Sequence, residues 1–200
     1  GSTDGSVESL NTKDIQVLRH ATNKGVGAMM KDLFNYVIEK KYDVIVIMAG
    51  NDKDRANEID RLLLPIINNN ADFVQGSRYL KDGYYDKMPL YRQIATRFIH
   101  PLLFSLITGS WITDSTNGFR AFRASIIKDE KIDFLQSWLD KYELEPYLFY
   151  KAIKLKYRIQ EVPVSKIYPS KELGYTKMKP ITGWWSILRP LIYLPLGIKK

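Results

Sequence analysis

Residues 43–54, Asp-Val-Ile-Val-Ile-Met-Ala-Gly-Asn-Asp-Lys-Asp, hold the pattern that decides the fold. Val44 to Met48 is an unbroken apolar run. A strand with one wet face alternates, whereas an unbroken run reads as a strand of a parallel sheet covered by helices on both faces. The run stops at Ala49-Gly50-Asn51, a turn-forming group, and delivers Asp52 and Asp54 two residues apart. In open α/β sheets ligands gather at the carboxyl ends of strands. The two carboxylates are therefore placed either to hold a divalent metal or to form a solvated turn before the helix containing Glu58.

The flanking sequence repeats this strand-to-helix rhythm. Upstream, Ile15-Gln16-Val17-Leu18 predicts a short strand. Asn23-Lys24-Gly25-Val26-Gly27 then opens a helix whose broad buried face carries Met29, Met30, Leu33, Phe34, Val37 and Ile38. Gly25 and Gly27 either admit a phosphate to the backbone or let strand and helix pack closely, and close packing is the favoured use. Downstream, Glu58 to Ile67 keeps helical period through Ile59, Leu62, Leu63 and Ile66, and Asn68-Asn69-Asn70 ends it. Phe73-Val74-Gln75 predicts another strand, running into Gly76-Ser77-Arg78-Tyr79. The alternation predicts an α/β fold, a doubly wound, mostly parallel sheet flanked by helices and joined by right-handed crossovers.

Residues 81–87, rich in Gly, Asp and Tyr, predict a mobile loop able to cover a site. Leu90 to Ile112 is a long apolar segment that Pro101 should kink or divide. It is either a core helix or an amphipathic helix lying in a membrane interface. Asp114 to Arg120 is a polar turn leading into a strand, Phe119 to Phe122. Residues 143–155 predict a helix, and Tyr157 to Val164 a strand that Pro163 places at an edge. Ser165 to Pro180 reads as a loop with Lys166, Lys171, Lys177 and Lys179. Residues 181–200 set Trp184, Trp185 and several aliphatics beside Arg189, Lys199 and Lys200. That segment is either an interfacial amphipathic helix or a buried terminal one.

Composition narrows the chemistry. The 200 residues include no cysteine and two isolated histidines, which removes thiolate nucleophiles, cysteine-bound zinc and a Ser-His triad from consideration. No apolar run reaches the roughly 18–20 residues that span a bilayer, and no secretory signal is visible. The expected location is cytoplasmic, peripheral on the cytoplasmic face of a membrane. Residues 1–150 hold 19 basic and 20 acidic side chains, whereas residues 151–200 hold 11 basic and 2 acidic ones. A charge excess confined to the last quarter points to an anionic partner: nucleic acid, an anionic membrane surface or a phosphate-bearing substrate. No nucleic-acid-binding module is recognisable, so nucleic acid is set aside.

Together these strings resemble family 2 glycosyltransferases, in the dolichyl-phosphate mannosyltransferase-like branch that makes polyprenyl-phosphate sugars. The resemblance covers nearly the whole chain and keeps the family's order. It rests on GSTDGS at residues 1–6, NKGVGAM at 23–29, GSRY at 76–79, DSTNGFRAF at 114–122, EVPV at 161–164 and GYTK at 174–177. GSTDGS lacks the acidic pair that leads it in the family, and the family's first strand does not precede it. That leaves part of the donor site outside the chain as given. The resemblance implies a GT-A (Rossmann-like) domain over residues 1–180, with residues 181–200 as a C-terminal amphipathic helix.

The same resemblance implies inverting transfer of a sugar from a UDP- or GDP-sugar to a lipid phosphate. Asp52 and Asp54 would hold Mg2+ or Mn2+, with Asn51 able to add an oxygen. The family usually has Asp-Ala-Asp directly after the central strand, where this chain has Ala49-Gly50-Asn51. Arg78, Asn51 and Lys24 would meet the donor phosphates, and Lys171 and Lys177 the acceptor phosphate. Arg92 would join that clamp or, with Arg97, touch phospholipid. Asp114 would orient the acceptor, act as a base or cap its own turn, and Glu145 stands between substrate and helix-start roles. Transfer to a saccharide hydroxyl and a non-catalytic membrane-associated domain remain alternatives. A homo-oligomer is left open.

Overall fold

The computed structural model describes residues 1–3, 5, 7–10, 15–168 and 180–200. A four-stranded sheet in the order β1-β4-β2-β5 forms its centre: β1 Val44–Ile47, β2 Phe73–Ser77, β4 Arg120–Arg123 and β5 Ile159–Pro163. β4 runs antiparallel to both β1 and β2, while β2 and β5 are parallel. Three strands therefore point one way and β4 runs against them between two of them. β5 lies at the edge, where Pro163 loses no ladder bond to a further neighbour.

Neighbouring residues on a strand face opposite sides, and the two sides have separate cores. On one side Phe73 and Phe122, paired in register, stack with Phe149 and Phe104 at centroid distances of 5.4, 4.9 and 5.0 Å. α1 (Val26–Glu39), α4 (His100–Thr108) and α5 (Leu144–Lys154) supply that core. On the other side Val74, Ala121 and Val162 meet Leu62 and Ile66 of α2 (Ile59–Ile67). Helices cover both faces, as the strand–helix alternation predicts.

Gly27 shows why the helix after Asn23 starts on glycines. A Cβ there would lie 2.0 Å from the Leu139 carbonyl oxygen, and one on Gly25 would lie 2.3 Å from that of Asp140. Both glycines serve close packing, the favoured reading.

Three expectations are corrected. Residues 15–20 adopt no regular structure, and Ile15 is 52% exposed. A lone four-residue strand has neither a ladder nor a buried face to hold it. β1 is less buried than its unbroken apolar run implies: only Ile45 is buried, and Met48 is exposed. The cause is position, since β1 ends the sheet among the described residues and borders an open groove. Residues 81–87 contain a strand, β3 (Tyr84–Asp86), paired in parallel with β6 (Ser165–Ile167).

The apolar segment from Leu90 divides as Pro101 requires. α3 (Leu90–Ile94) passes through a π-helical stretch, Ala95–Ile99, into α4, with Pro101 in its first turn. Its inner side buries Arg92, Thr96, His100 and Phe104, while Leu90, Phe98, Leu102 and Leu106 are 53–70% exposed. The final helix, α6 (Pro180–Tyr193), is docked on the body through Leu191, with Leu194 just past its end packing into the same core. The buried Glu143 carboxylate binds Ser186 and Arg189 on that helix. Trp185 and Ile192 remain exposed. The buried-terminal-helix reading describes its inner face, and the outer face stays open to a surface.

Candidate active site

The carboxyl ends of β1 and β2 meet β6 at one point. Lys53 O accepts a hydrogen bond from Ile167 N at 2.9 Å, and Asp54 forms an isolated bridge with Lys166. The turn after β1 is thereby stapled to the strand after β5. Lys166 Nζ donates to Asp54 Oδ1 at 2.7 Å and to Asn117 Oδ1 at 3.0 Å. Asn117 is fixed in turn by its Nδ2, which donates to Gly76 O at 3.0 Å. Burial pushes the Lys166 ammonium below its ordinary pKa, and the Asp54 charge pulls the other way. Lys53 is also pushed down, first by burial and then by the charges of Arg92 and Lys166. Its ammonium lies 4.9 Å from the Tyr168 ring centroid, and the Arg92 guanidinium lies 5.7 Å from it.

A cavity of about 170 Å3 has Lys53, Arg78, Arg92, Lys166 and Tyr168 in its wall, and Glu145 as its lining carboxylate among the described residues. A groove of about 1010 Å3 along β1 and α1 reaches the same point and shares Asn51, Lys53, Glu145 and Lys166 with it. Asp54 offsets Lys166 and Asp114 offsets Arg78. Among the described lining residues the cavity wall itself still carries more cationic than anionic groups, which suits an anion.

Arg78 and Asp114, both candidates from the sequence, are brought together and largely consume each other. Arg78 Nε donates to Asp114 Oδ2 at 2.6 Å and Nη2 to Oδ1 at 2.7 Å. Nη2 also reaches Thr116, and Nη1 reaches Tyr168. Four of the five guanidinium donors are engaged. Burial opposes the Arg78 charge, yet the Asp114 carboxylate holds its pKa above the ordinary value. Asp114 is fully buried and its Oδ1 also accepts from Thr116 N and Oγ1 at 3.3 Å, which matches the turn-capping role among those the sequence leaves open. Arg78 contributes its field to the cavity more than a hydrogen bond.

Glu161 completes this arrangement and was missed as a site residue. Its carboxylate accepts from Thr113 N at 2.8 Å, Thr113 Oγ1 at 3.0 Å and Asp114 N at 3.0 Å. Burial pushes its pKa up. Lys53, Lys166 and Tyr168 were missed as well. A lysine between two aspartates and another in a presumed loop carry no local signal of convergence.

Lys24 does not join the cation cluster. It lines a different cavity with His20, Asn23 and Lys141. Lys171 and Lys177 lie outside the described residues. Arg92 and Asn51 do reach the site. Glu145 lines it while its carboxylate leans on Arg120 at 3.7 Å.

The residues present do not fit a divalent ion at Asp52 and Asp54. Even where substrate phosphates supply most of the oxygens, such an ion needs one or two carboxylates free to face it. Asp52 is exposed on left-handed backbone, φ 53°. Asp54 is buried, with Oδ1 taken by an ammonium and Oδ2 as a single oxygen without a hydrogen-bond partner. Among the described residues no three His, Cys, Asp or Glu side chains form a metal-holding group.

Comparison with known proteins gives this geometry a context. The model of a family described as glycosyl transferase family 2 matches residues 1–130. An undecaprenyl-phosphate mannosyltransferase of Micrococcus luteus is 29% identical over 182 residues, covering 88% of this chain and 72% of the relative. A UDP-N-acetylglucosamine–dolichyl-phosphate N-acetylglucosaminyltransferase of Methanococcus voltae is 29% identical, covering 90% and 69%. A polyprenol monophosphomannose synthase of Mycolicibacterium smegmatis is 29% identical, covering 89% and 67%.

Proposed function

The chain belongs to glycosyl transferase family 2, and from that membership we propose that it moves a sugar from a nucleotide diphosphate to a polyprenyl phosphate. The observation that carries this reading is the cavity walled by Lys53, Arg78, Arg92 and Lys166. It adjoins a helical segment whose outer side exposes Phe98, Leu102 and Leu106. A lipid phosphate needs both: cations for its headgroup and an apolar face against the surface that holds its tail. No helix is long and apolar enough among the described residues to cross a membrane. The exposed apolar side of that helical segment supports a seat at a membrane surface, proposed to be its cytoplasmic face.

The chemistry asks little acid–base work of the protein. A phosphate oxygen of the acceptor attacks the anomeric carbon, and the bond from that carbon to the donor's phosphate oxygen breaks. The electron pair leaves on the nucleoside diphosphate, with inversion at the carbon. An ionised phosphate has no proton to surrender, so positioning two anions in line and neutralising the departing charge carry the catalysis. Arg92 is assigned to the acceptor phosphate, and Lys53 and Lys166, where the long groove meets the cavity, to the donor diphosphate. The buried Asp114–Arg78 pair suits this reading better than transfer to a hydroxyl, which requires a base within reach of substrate.

The test supplies the protein with labelled UDP- and GDP-sugars and polyprenyl phosphate in anionic vesicles, then extracts with organic solvent. Label in the lipid phase is expected. Label only in water-soluble saccharide supports the hydroxyl acceptor. No transfer with any donor, alongside retained vesicle binding, supports a non-catalytic membrane domain.

A further inference from the structure

The ammonium of Lys166 sits on a carboxylate, Asp54, that the family resemblance assigns to a metal. That contact has a second half: Asn117 Oδ1 takes another of its N–H groups. An ammonium has three donors, and two fixed protein acceptors leave one for a ligand. Lys166 lines both the small cavity and the long groove, so it stands where the donor's leaving group must meet the acceptor. Lys53 stands at the same junction, and Arg92 lies in the cavity wall. At the turn after β1, Ala49 and Asn51 bring no carboxylate, and Asp52 is exposed to solvent.

We propose that Lys166, clamped by Asp54 and Asn117 and seconded by Lys53, takes the position of the divalent cation, so that this chain binds a nucleoside diphosphate without metal. Asp54 is then a positioning residue, holding the ammonium rather than an ion. This inference rests on the sugar-transfer reading for its ligand. It deepens that reading by naming what neutralises the leaving group. A divalent cation entering the cavity would meet the charges of Lys53, Lys166 and Arg92, with Glu145 as the carboxylate among the described lining residues. A diphosphate entering the same cavity relieves the mutual repulsion of those cations.

The experiment measures binding of UDP, GDP and inorganic pyrophosphate by calorimetry, in excess EDTA and again with Mn2+ or Mg2+. A Kd in EDTA within about threefold of the Kd with metal bears the inference out, and a larger gap overturns it. Binding that appears only with Mn2+ overturns the lysine assignment and leaves the transfer reading standing. No diphosphate binding in either buffer overturns both. Lys166→Gln, with its fold checked by circular dichroism, is expected to weaken binding about tenfold or more in EDTA. Binding that survives unchanged in a folded Lys166→Gln protein also overturns the assignment. The wild-type comparison needs no variant, so a misfolded Lys166→Gln protein leaves the test intact.

Discussion

Arg78 and Asp114 grip each other in a two-pronged pair, 2.6 and 2.7 Å, with both side chains almost wholly removed from solvent. The pair ties the end of β2 to the turn before β4. Breaking one side of a buried pair strands the other charge, which costs about 3–5 kcal/mol. Asp114→Ala should therefore lower the urea midpoint by that equivalent. A catalytic base would behave otherwise, losing activity while the midpoint stays put.

Acid should weaken the fold in two successive windows. Burial lowers His100 from 6.5 to about 4, so the folded protein keeps it neutral. Its contribution is fully present above pH 6.5 and is lost as pH falls toward 4, because only the unfolded chain takes the proton. The loss is at most about 3 kcal/mol. Below that, Asp72, whose hydrogen bonds from Arg158 hold it down from 3.8 to about 2, continues the decline. Urea titrations of wild type and His100→Gln should differ in slope between pH 6.5 and 4 and run parallel below. Equal slopes throughout would remove His100 from the account.

Arg92 is mostly buried against Tyr168 and meets no carboxylate among the described residues. Arg92→Gln should raise KM for polyprenyl phosphate about tenfold or more, with a smaller effect on KM for the nucleotide sugar. Arg92→Lys should recover part of the loss, since it keeps charge but not the planar fork. Equal effects on both substrates would move Arg92 away from the acceptor.

The outer side of the segment carrying Phe98 and Leu106 is exposed at 59% and 70%. Replacing both with glutamate should leave the thermal midpoint nearly unchanged, since exposed substitutions shift stability by about 0.5 kcal/mol or less. Co-sedimentation with anionic vesicles should drop severalfold. Unaltered pelleting would show that another face meets the membrane.

Much of the framework was legible because it depends on local periodicity. The run Val44–Ile47, the helix through Leu62 and Ile66, and Pro163 at an edge all follow from spacing and backbone chemistry. Arg78 and Asp114 were each visible as polar residues at strand and turn ends. Their mutual engagement was not, because 36 residues separate them and sequence gives no distance. Lys166 shows the same limit more severely. It reaches Asp54 across 112 positions, and no pattern within either segment says that one cation has met one anion. Strand pairing also rewrote the Lys81–Lys87 loop, since β3 exists only because β6 lies beside it.

The π-helical stretch at Ala95–Ile99 bears on the two faces of the segment that contains it. Arg92, Thr96, His100, Phe104 and Thr108 are buried at intervals of four. On a plain α-helix each four-residue step over-rotates by about 40°, and that inner row would spiral away. A wider turn takes up part of the excess, which keeps the inner row and the apolar outer row more nearly opposite each other along the segment. On the proposed reading, the segment is a depth gauge. The same rigid rod that sets how far the enzyme sinks into the lipid also fixes how far beneath the headgroups its guanidinium waits.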